Sequence, residues 1–232
     1  MNKKLFLKEV EHLGIFLTEK QINDLDTYYK LLVSYNEFVN LTAITKEEDV
    51  YLKHFYDSLT LFKGINLKEN LKICDIGTGA GFPGLVLKIV FPNLSVTLVD
   101  SLEKRIKFLD LAIEKLNLKD IKTVHSRIED YKENELFDVV VSRAVAKINV
   151  LLELGCQLSK TGGLFVFMKG NVLEELNNSK NALKVLNYSL ENVINFKLPI
   201  EESERNIVIL KHTSPTSKNY PRQFSTIKKK PL

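Results

Sequence analysis

No stretch of the sequence runs to the roughly 18 apolar residues that a membrane-crossing helix needs, so a bilayer span is not expected. Cysteine is scarce: Cys74 and Cys156 are the only two, each inside an apolar stretch. They suit small buried thiols in a reducing cytoplasm better than a disulfide or metal framework, and no metal is expected. Internal repeats are lacking. The first segment, Met1 to Leu17, mixes Lys3, Lys4, Lys8, Glu9 and Glu11 with apolar residues and lacks a continuous apolar block, so it is not expected to be a signal peptide. Acid is missing from the end of the chain. Ser214 to Leu232 carries Lys218, Arg222, Lys228, Lys229 and Lys230 with no Asp or Glu, and +4 overall against +5 here leaves −1 elsewhere. Such a run is a solvated surface as readily as a phosphate-binding one.

What is present is enough for one well-filled α/β domain with an appendage: 232 residues, 44% hydrophobic and 27% charged. Residues 1–69 read as a helical N-terminal extension, with apolar positions at Leu5, Val10 and Leu13, then Ile22, Leu25, Tyr28, Tyr29 and Leu32. From residue 70 to 213 strands and helices alternate. Strands are predicted at Leu71 to Ile76, Ser95 to Val99, Ile121 to His125, Phe137 to Val141 and Gly163 to Met168. Helices are predicted at Gly84 to Val90, Leu102 to Leu116, Asn149 to Leu158 and Val172 to Val185, with Gly162 and Gly163 marking a helix exit. This alternation implies right-handed βαβ units and a parallel sheet. Two further strands, Tyr188 to Leu198 and Arg205 to Lys211, flank the acidic turn Glu201 to Glu204 and predict an antiparallel hairpin at one edge. Residues 214–232 form the basic tail. Five parallel strands closed by such a hairpin resemble the Rossmann-like, seven-stranded class I methyltransferases that use S-adenosyl-L-methionine (AdoMet).

The chemistry concentrates after the first strand, where Asp75-Ile76-Gly77-Thr78-Gly79-Ala80-Gly81-Phe82-Pro83-Gly84 enters a helix. Glycines there permit positive φ and let a ligand touch bare backbone, which makes Gly79 and Gly81 binding candidates. Gly79 to Gly84 also satisfies the G-x-G-x-x-G dinucleotide pattern, with Asp100 about 20 residues on. A dinucleotide, however, brings a doubly charged pyrophosphate, which the Asp75 carboxylate would repel. AdoMet carries a sulfonium and an ammonium instead. Asp100 ends the second predicted strand and can accept hydrogen bonds from ribose hydroxyls. The competing reading is a helix cap, since Asp100-x-x-Glu103 has the spacing of a capping arrangement. For Asp75 it is a buried acid satisfied by the turn's own N–H groups.

A wider set of words matches one family: Asn40-Leu41-Thr42-Ala43-Ile44, His54-Phe55-Tyr56-Asp57-Ser58-Leu59, Asp75 to Gly84, Val99-Asp100-Ser101-Leu102, Ser142-Arg143-Ala144 and Lys169-Gly170. From about Asn40 to the tail the chain resembles the rRNA small subunit methyltransferase G family, also called glucose-inhibited division protein B. It departs from the family pattern at Ala80, where Pro is common, and in the tail after Pro221-Arg222. The resemblance implies methyl transfer from AdoMet to N7 of a guanine in 16S rRNA, at position 527. It further implies cofactor contacts at Gly77, Phe82, Ile128, Glu129 and Arg143, beside Asp75, Gly79, Gly81 and Asp100. Read without the family, Ile128 is a core residue and Glu129 a solvated acid.

Guanine N7 has a lone pair and no proton, so its methylation needs no general base and no covalent intermediate, and no catalytic residue is expected beyond positioning. No Pro-Cys pair and no Asn-Pro-Pro-Tyr type motif supports pyrimidine-carbon or exocyclic-amine chemistry. His54 is expected to hydrogen-bond or cap. Lys169, Arg222, Lys228, Lys229 and Lys230 are the candidates for RNA phosphate, and a snorkelling surface lysine is the other reading of Lys169. The expected partner is 16S rRNA or the 30S subunit, and a cytoplasmic monomer is expected. Two alternatives stay open: a methyltransferase acting on a small molecule, and a non-catalytic ribosome assembly factor that keeps the fold.

Overall fold

The computed structural model describes residues 1–132, 136–143 and 145–232. Ala144 of the Ser142-Arg143-Ala144 motif lies outside the described residues.

The chain opens with helices. In α1 (Lys3–His12) the Asn2 side chain caps the first turn by accepting from the Leu5 N–H. In α2 (Glu19–Asn36) Thr18 and Gln21 form a reciprocal capping box, and Leu25, Tyr28 and Leu32 recur at helical spacing on the buried face. A short α3 (Glu47–Val50) runs directly into a π-helical segment, Tyr51–Tyr56, then into α4 (Asp57–Leu59) and a 3-10 turn, Thr60–Lys63. π-Helical turns often mark functional positions, and this one carries His54.

The remainder alternates as β1 (Lys72–Ile76), α5 (Gly84–Val90), β2 (Ser95–Asp100), α6 (Glu103–Lys115), β3 (Ile121–His125), β4 (Phe137–Arg143), α7 (Ile148–Gly155) and β5 (Ser159–Lys169). It ends with α8 (Leu173–Asn178), α9 (Lys180–Leu186), β6 (Tyr188–Lys197), β7 (Glu204–His212) and α10 (Phe224–Lys229). The seven strands are ordered β3-β2-β1-β4-β5-β7-β6. The first five are parallel, and β7 lies antiparallel between β5 and β6. Strand order reverses between β1 and β4, the place where an open parallel sheet presents a ligand crevice beyond its carboxyl ends.

Period-two alternation splits the core into two layers. Ile73, Val139, Val141, Val166, Ile207 and Ile209 face one layer with Phe6, Leu25, Tyr28, Leu32 and Phe55; Cys74, Val140, Phe165, Phe167, Val208 and Leu210 face the other with Leu151, Leu152, Leu186 and Ile227. The N-terminal helices therefore supply much of one sheet face's cover. Truncating a side chain such as the fully buried Phe165 to Ala would cost about 3–5 kcal/mol. Both cysteines are free and buried, and burial pushes the Cys156 thiol up to about 12.

Most element ends fall within one or two residues of the sequence reading, and the larger differences lie around β5 and the helix that follows it. The helix predicted to 158 ends at Gly155, and β5 starts at Ser159, because Ser159 pairs with Phe137 before an irregularity in the β4 register. Gly162 and Gly163 lie inside that strand, with Gly162 at φ 85°, and mark no helix exit. The helix predicted over 172–185 divides at Ser179. There the N–H closes a tight bond to the Leu176 carbonyl, and the hydroxyl donates to the Glu175 carbonyl at 2.6 Å, in competition with regular helix bonding. Among the described residues no helix is long and apolar enough to cross a membrane.

Candidate functional site

The loop between β1 and α5 is held from behind by its own acid. Asp75 is completely buried; its Oδ2 accepts from the Thr78 hydroxyl at 2.7 Å and from the Gly84 N–H at 2.8 Å. Gly84 opens α5, so an internal carboxylate already occupies the positive end of that helix. Burial pushes the Asp75 carboxyl up to about 6, against the opposing pull of those two hydrogen bonds. Its Oδ1 is buried without a hydrogen-bond partner among the described residues.

Two glycines in the loop are required for different reasons. Gly81 (φ 101°) has no room: an added Cβ would stand 2.8 Å from the Tyr28 hydroxyl, which itself bonds the Ala80 carbonyl. Gly79 (φ 62°) is the opposite case, with no atom of the described residues within 4 Å of where its Cβ would lie. Bare backbone at Gly79 therefore fronts open space, as a ligand-contacting glycine must.

Asp100, at the end of β2, closes this wall. Its Oδ2 accepts the Gly79 N–H and its Oδ1 the Leu102 N–H, both at 2.9 Å. Nη1 of Arg105 reaches Oδ2 at 3.1 Å and Oδ1 at 3.4 Å. The capping reading fails here: the N-cap position of α6 is Leu102, and Glu103 pairs with Lys107 at 2.9 Å.

Across the crevice lies a polar chain that crosses the tertiary structure. Arg143, at the end of β4, donates through Nη1 to Asp57 Oδ2 at 2.9 Å and to the Lys53 carbonyl at 2.8 Å. Its Nη2 lies 3.1 Å from His54 Nδ1. A guanidinium can only donate, so Nδ1 accepts and the His54 proton sits on Nε2, 3.0 Å from the Thr42 hydroxyl. Burial first, then the Arg143 charge, lowers His54 to about 3, which keeps it neutral. The imidazole stacks on Phe82 with ring centres 4.2 Å apart, and the Arg143 guanidinium lies 5.1 Å from the same ring. Arg205 of β7 completes the group as an ion pair with Asp57 Oδ1 at 3.3 Å.

Gly79, Asp100 and Arg105 on one side and the Arg143, His54, Asp57 and Arg205 group on the other line a cavity of about 1190 Å³. Of the predicted cofactor contacts, Gly77, Gly79, Phe82, Asp100, Ile128, Glu129 and Arg143 are on its wall. Asp75 and Gly81 lie behind the wall, where they shape the loop. Ile128 and Glu129 belong to a 3-10 turn, Ile128–Asp130, that follows β3. Among the described residues, no cluster of His, Cys, Asp and Glu could hold a metal ion.

The predicted RNA contacts divide. Lys169 and Lys228 line the cavity. Lys169 is no snorkelling surface lysine: its ammonium is held by Glu175 Oε2 at 2.9 Å and by the Ala146 carbonyl. Arg222 is taken up internally, with Nε and Nη2 on the two oxygens of the fully buried Glu153 at 2.6 and 2.7 Å. Lys229 and Lys230 are exposed and are not on the cavity wall.

Comparison with known sequences settles the kinship. The profile of the family described as rRNA small subunit methyltransferase G matches residues 21–208. A relative named ribosomal RNA small subunit methyltransferase G from Bacillus cytotoxicus is 47% identical, covering 100% of this chain and 99% of its own; one from Bacillus thuringiensis is 46% identical over the same shares. The chain belongs to the rRNA small subunit methyltransferase G family.

Solved structures support the fold of this family member. The M1A22 tRNA methyltransferase of B. subtilis superposes with a TM-score of 0.56 at 13% identity, over 71% of this chain and 68% of that one. A SAM dependent methyltransferase from Aquifex aeolicus gives 0.54 at 19%, over 72% and 94%. Three of the family words, carried by Thr42, by His54 with Asp57, and by Arg143, meet in one hydrogen-bonded group. Asp57, Arg105 and Arg205 were not among the predicted site residues. Asp57 was legible in the His54-x-x-Asp57 word, whereas nothing local marked either arginine.

Proposed function

We propose that this protein transfers the methyl group of AdoMet to N7 of a guanine in 16S rRNA, at position 527, acting in the cytoplasm on the rRNA or the 30S subunit. The observation that carries the reading is the pair of carboxylates at adjoining strand ends. Asp75 already fills the anion site at the start of α5, where a dinucleotide would need its pyrophosphate. Asp100 stands on the neighbouring wall, where its carboxylate takes the Gly79 N–H and pairs with Arg105. Beside the glycine loop the crevice carries the carboxylates of Asp100 and Glu129 and bare backbone at Gly79, which suits a phosphate-free, cationic donor.

The residues present fit that donor. Asp100 would accept from its ribose hydroxyls, Ile128 and Glu129 would flank its base, and Gly77, Gly79, Phe82 and Arg143 would border its amino-acid end. When bound, AdoMet supplies an electrophilic methyl on sulfur. The chain's own part is to hold and orient. The stacked Phe82, His54 and Arg143 fix one side of the crevice, and such positioning supplies the acceleration when the nucleophile carries no proton. His54 fits this role: it is neutral, both its ring nitrogens are engaged, and it is held far below the range of a working base.

The test is to incubate the protein with methyl-labelled AdoMet and either 16S rRNA or 30S subunits from cells lacking the activity, then map the label by N7-specific chain cleavage. A single cleaved guanine in 16S rRNA is the expected result. Label that enters only small molecules, or no transfer by a protein that binds AdoMet, would overturn it.

A further inference from the structure

Asp100 lines the crevice yet is only 3% exposed, and Arg105 is paired with it. The contact has an unusual form. One nitrogen, Nη1, reaches both carboxylate oxygens, at 3.1 and 3.4 Å, while the two backbone N–H groups of Gly79 and Leu102 take one oxygen each. Arg105 thus fills the one remaining acceptor place on each oxygen. A ribose presents two neighbouring hydroxyls, which would donate one to each of those same places.

Arg105 is also poorly settled. Its Nε is buried with no hydrogen-bond partner among the described residues, a desolvated donor that costs free energy in this position. The guanidinium otherwise borders the cavity, and its side chain is 31% exposed, so solvent lies open to it when it leaves.

We propose that Arg105 is a placeholder for the cofactor's ribose diol: its guanidinium neutralises and covers Asp100 in the free protein and swings away when the diol takes the carboxylate. Arg105 is therefore a positioning residue that sets cofactor affinity without contacting the bound ribose. The proposal rests on the reading that Asp100 holds the ribose.

Calorimetric titration with S-adenosylhomocysteine tests it. Breaking a partly exposed ion pair costs a fraction of 1 kcal/mol to about 1 kcal/mol, so Arg105→Ala should bind about three- to fivefold tighter than wild type, and Arg105→Lys should fall between them. With the 2′,3′-dideoxy analogue, which has no diol to exchange, Arg105→Ala should gain nothing. Binding of S-adenosylhomocysteine by Arg105→Ala that is unchanged or weaker overturns the placeholder, as does an equal gain with the dideoxy analogue. Asp100→Ala separates the two failures. If it binds like wild type, the cofactor reading itself falls; if it loses binding while Arg105→Ala shows no gain, only the placeholder falls. Circular dichroism of each variant confirms the fold, and Arg105→Lys keeps the charge should Arg105→Ala not fold.

Discussion

Arg222 and Glu153 form a two-armed ion pair across 69 residues of sequence, with the carboxylate fully buried in α7 and the guanidinium within the basic tail. Together with Ile227, which is buried against α7 and its neighbours, this pair makes the end of the chain part of the fold. Asn149 adds a bond from its side chain to the Leu232 carbonyl at 3.1 Å.

Removing one partner of such a pair strands a buried charge. Arg222→Ala is expected to lower unfolding stability by about 3 kcal/mol, read as a lower midpoint in urea. Adding Glu153→Gln should recover part of the loss. An unshifted midpoint in the single variant would contradict this account of the tail.

The same geometry changes how the tail's RNA role must be tested. Deleting everything from Ser214 would also remove Arg222 and Ile227, so weakened RNA binding would report lost packing. Replacing the three exposed lysines, Lys228, Lys229 and Lys230, with Gln leaves the anchors in place. The triple variant should keep its stability while the slope of log affinity for rRNA against log salt becomes shallower by roughly 1 to 2. An identical slope would remove these lysines from the interface.

Asp100→Ala should lose measurable AdoMet binding and keep its circular dichroism spectrum. Asp100 bonds the loop through a single Gly79 N–H, while Asp75 secures the turn independently through Thr78 and Gly84. Calorimetry that returned wild-type affinity for a folded Asp100→Ala protein would refute the assignment.

Asp75 predicts a pH dependence of stability. Its folded pKa is raised from 3.8 to about 6, chiefly by burial, so the folded state holds this proton more tightly than the unfolded chain. The stability gained from the neutral form is full below 3.8 and is lost as pH rises through about 6. Asp75→Asn keeps an acceptor for Thr78 and Gly84 and carries no charge. It should flatten the stability profile between about 4 and 6 and be no less stable than wild type at pH 7. Denaturant midpoints across that range check it; a variant profile as steep as wild type's would trace the dependence to other groups.

Local pattern sufficed wherever one stretch of chain decides its own conformation. The strand and helix sequence, the glycine turn with Asp75 and Asp100, and the edge hairpin were legible because periodicity and turn chemistry act within a few residues; the words at Thr42, His54, Asp57 and Arg143 were legible only through the family resemblance. Helix and strand ends near Gly155, Ser159 and Ser179 were not. They depend on which partner strand or carbonyl competes for a hydrogen bond. Neither the meeting of Arg143 with Asp57, 86 positions away, nor the capture of Arg222 by Glu153 could be read from spacing, because a buried charge takes the partner that the packed core brings within 3 Å. Thus the sequence by itself determined the order of elements and the kind of crevice they make. Tertiary structure decided which acids face that crevice, which stay behind its wall, and which bases are already engaged, since burial and pairing are properties of the assembled core and of no single segment.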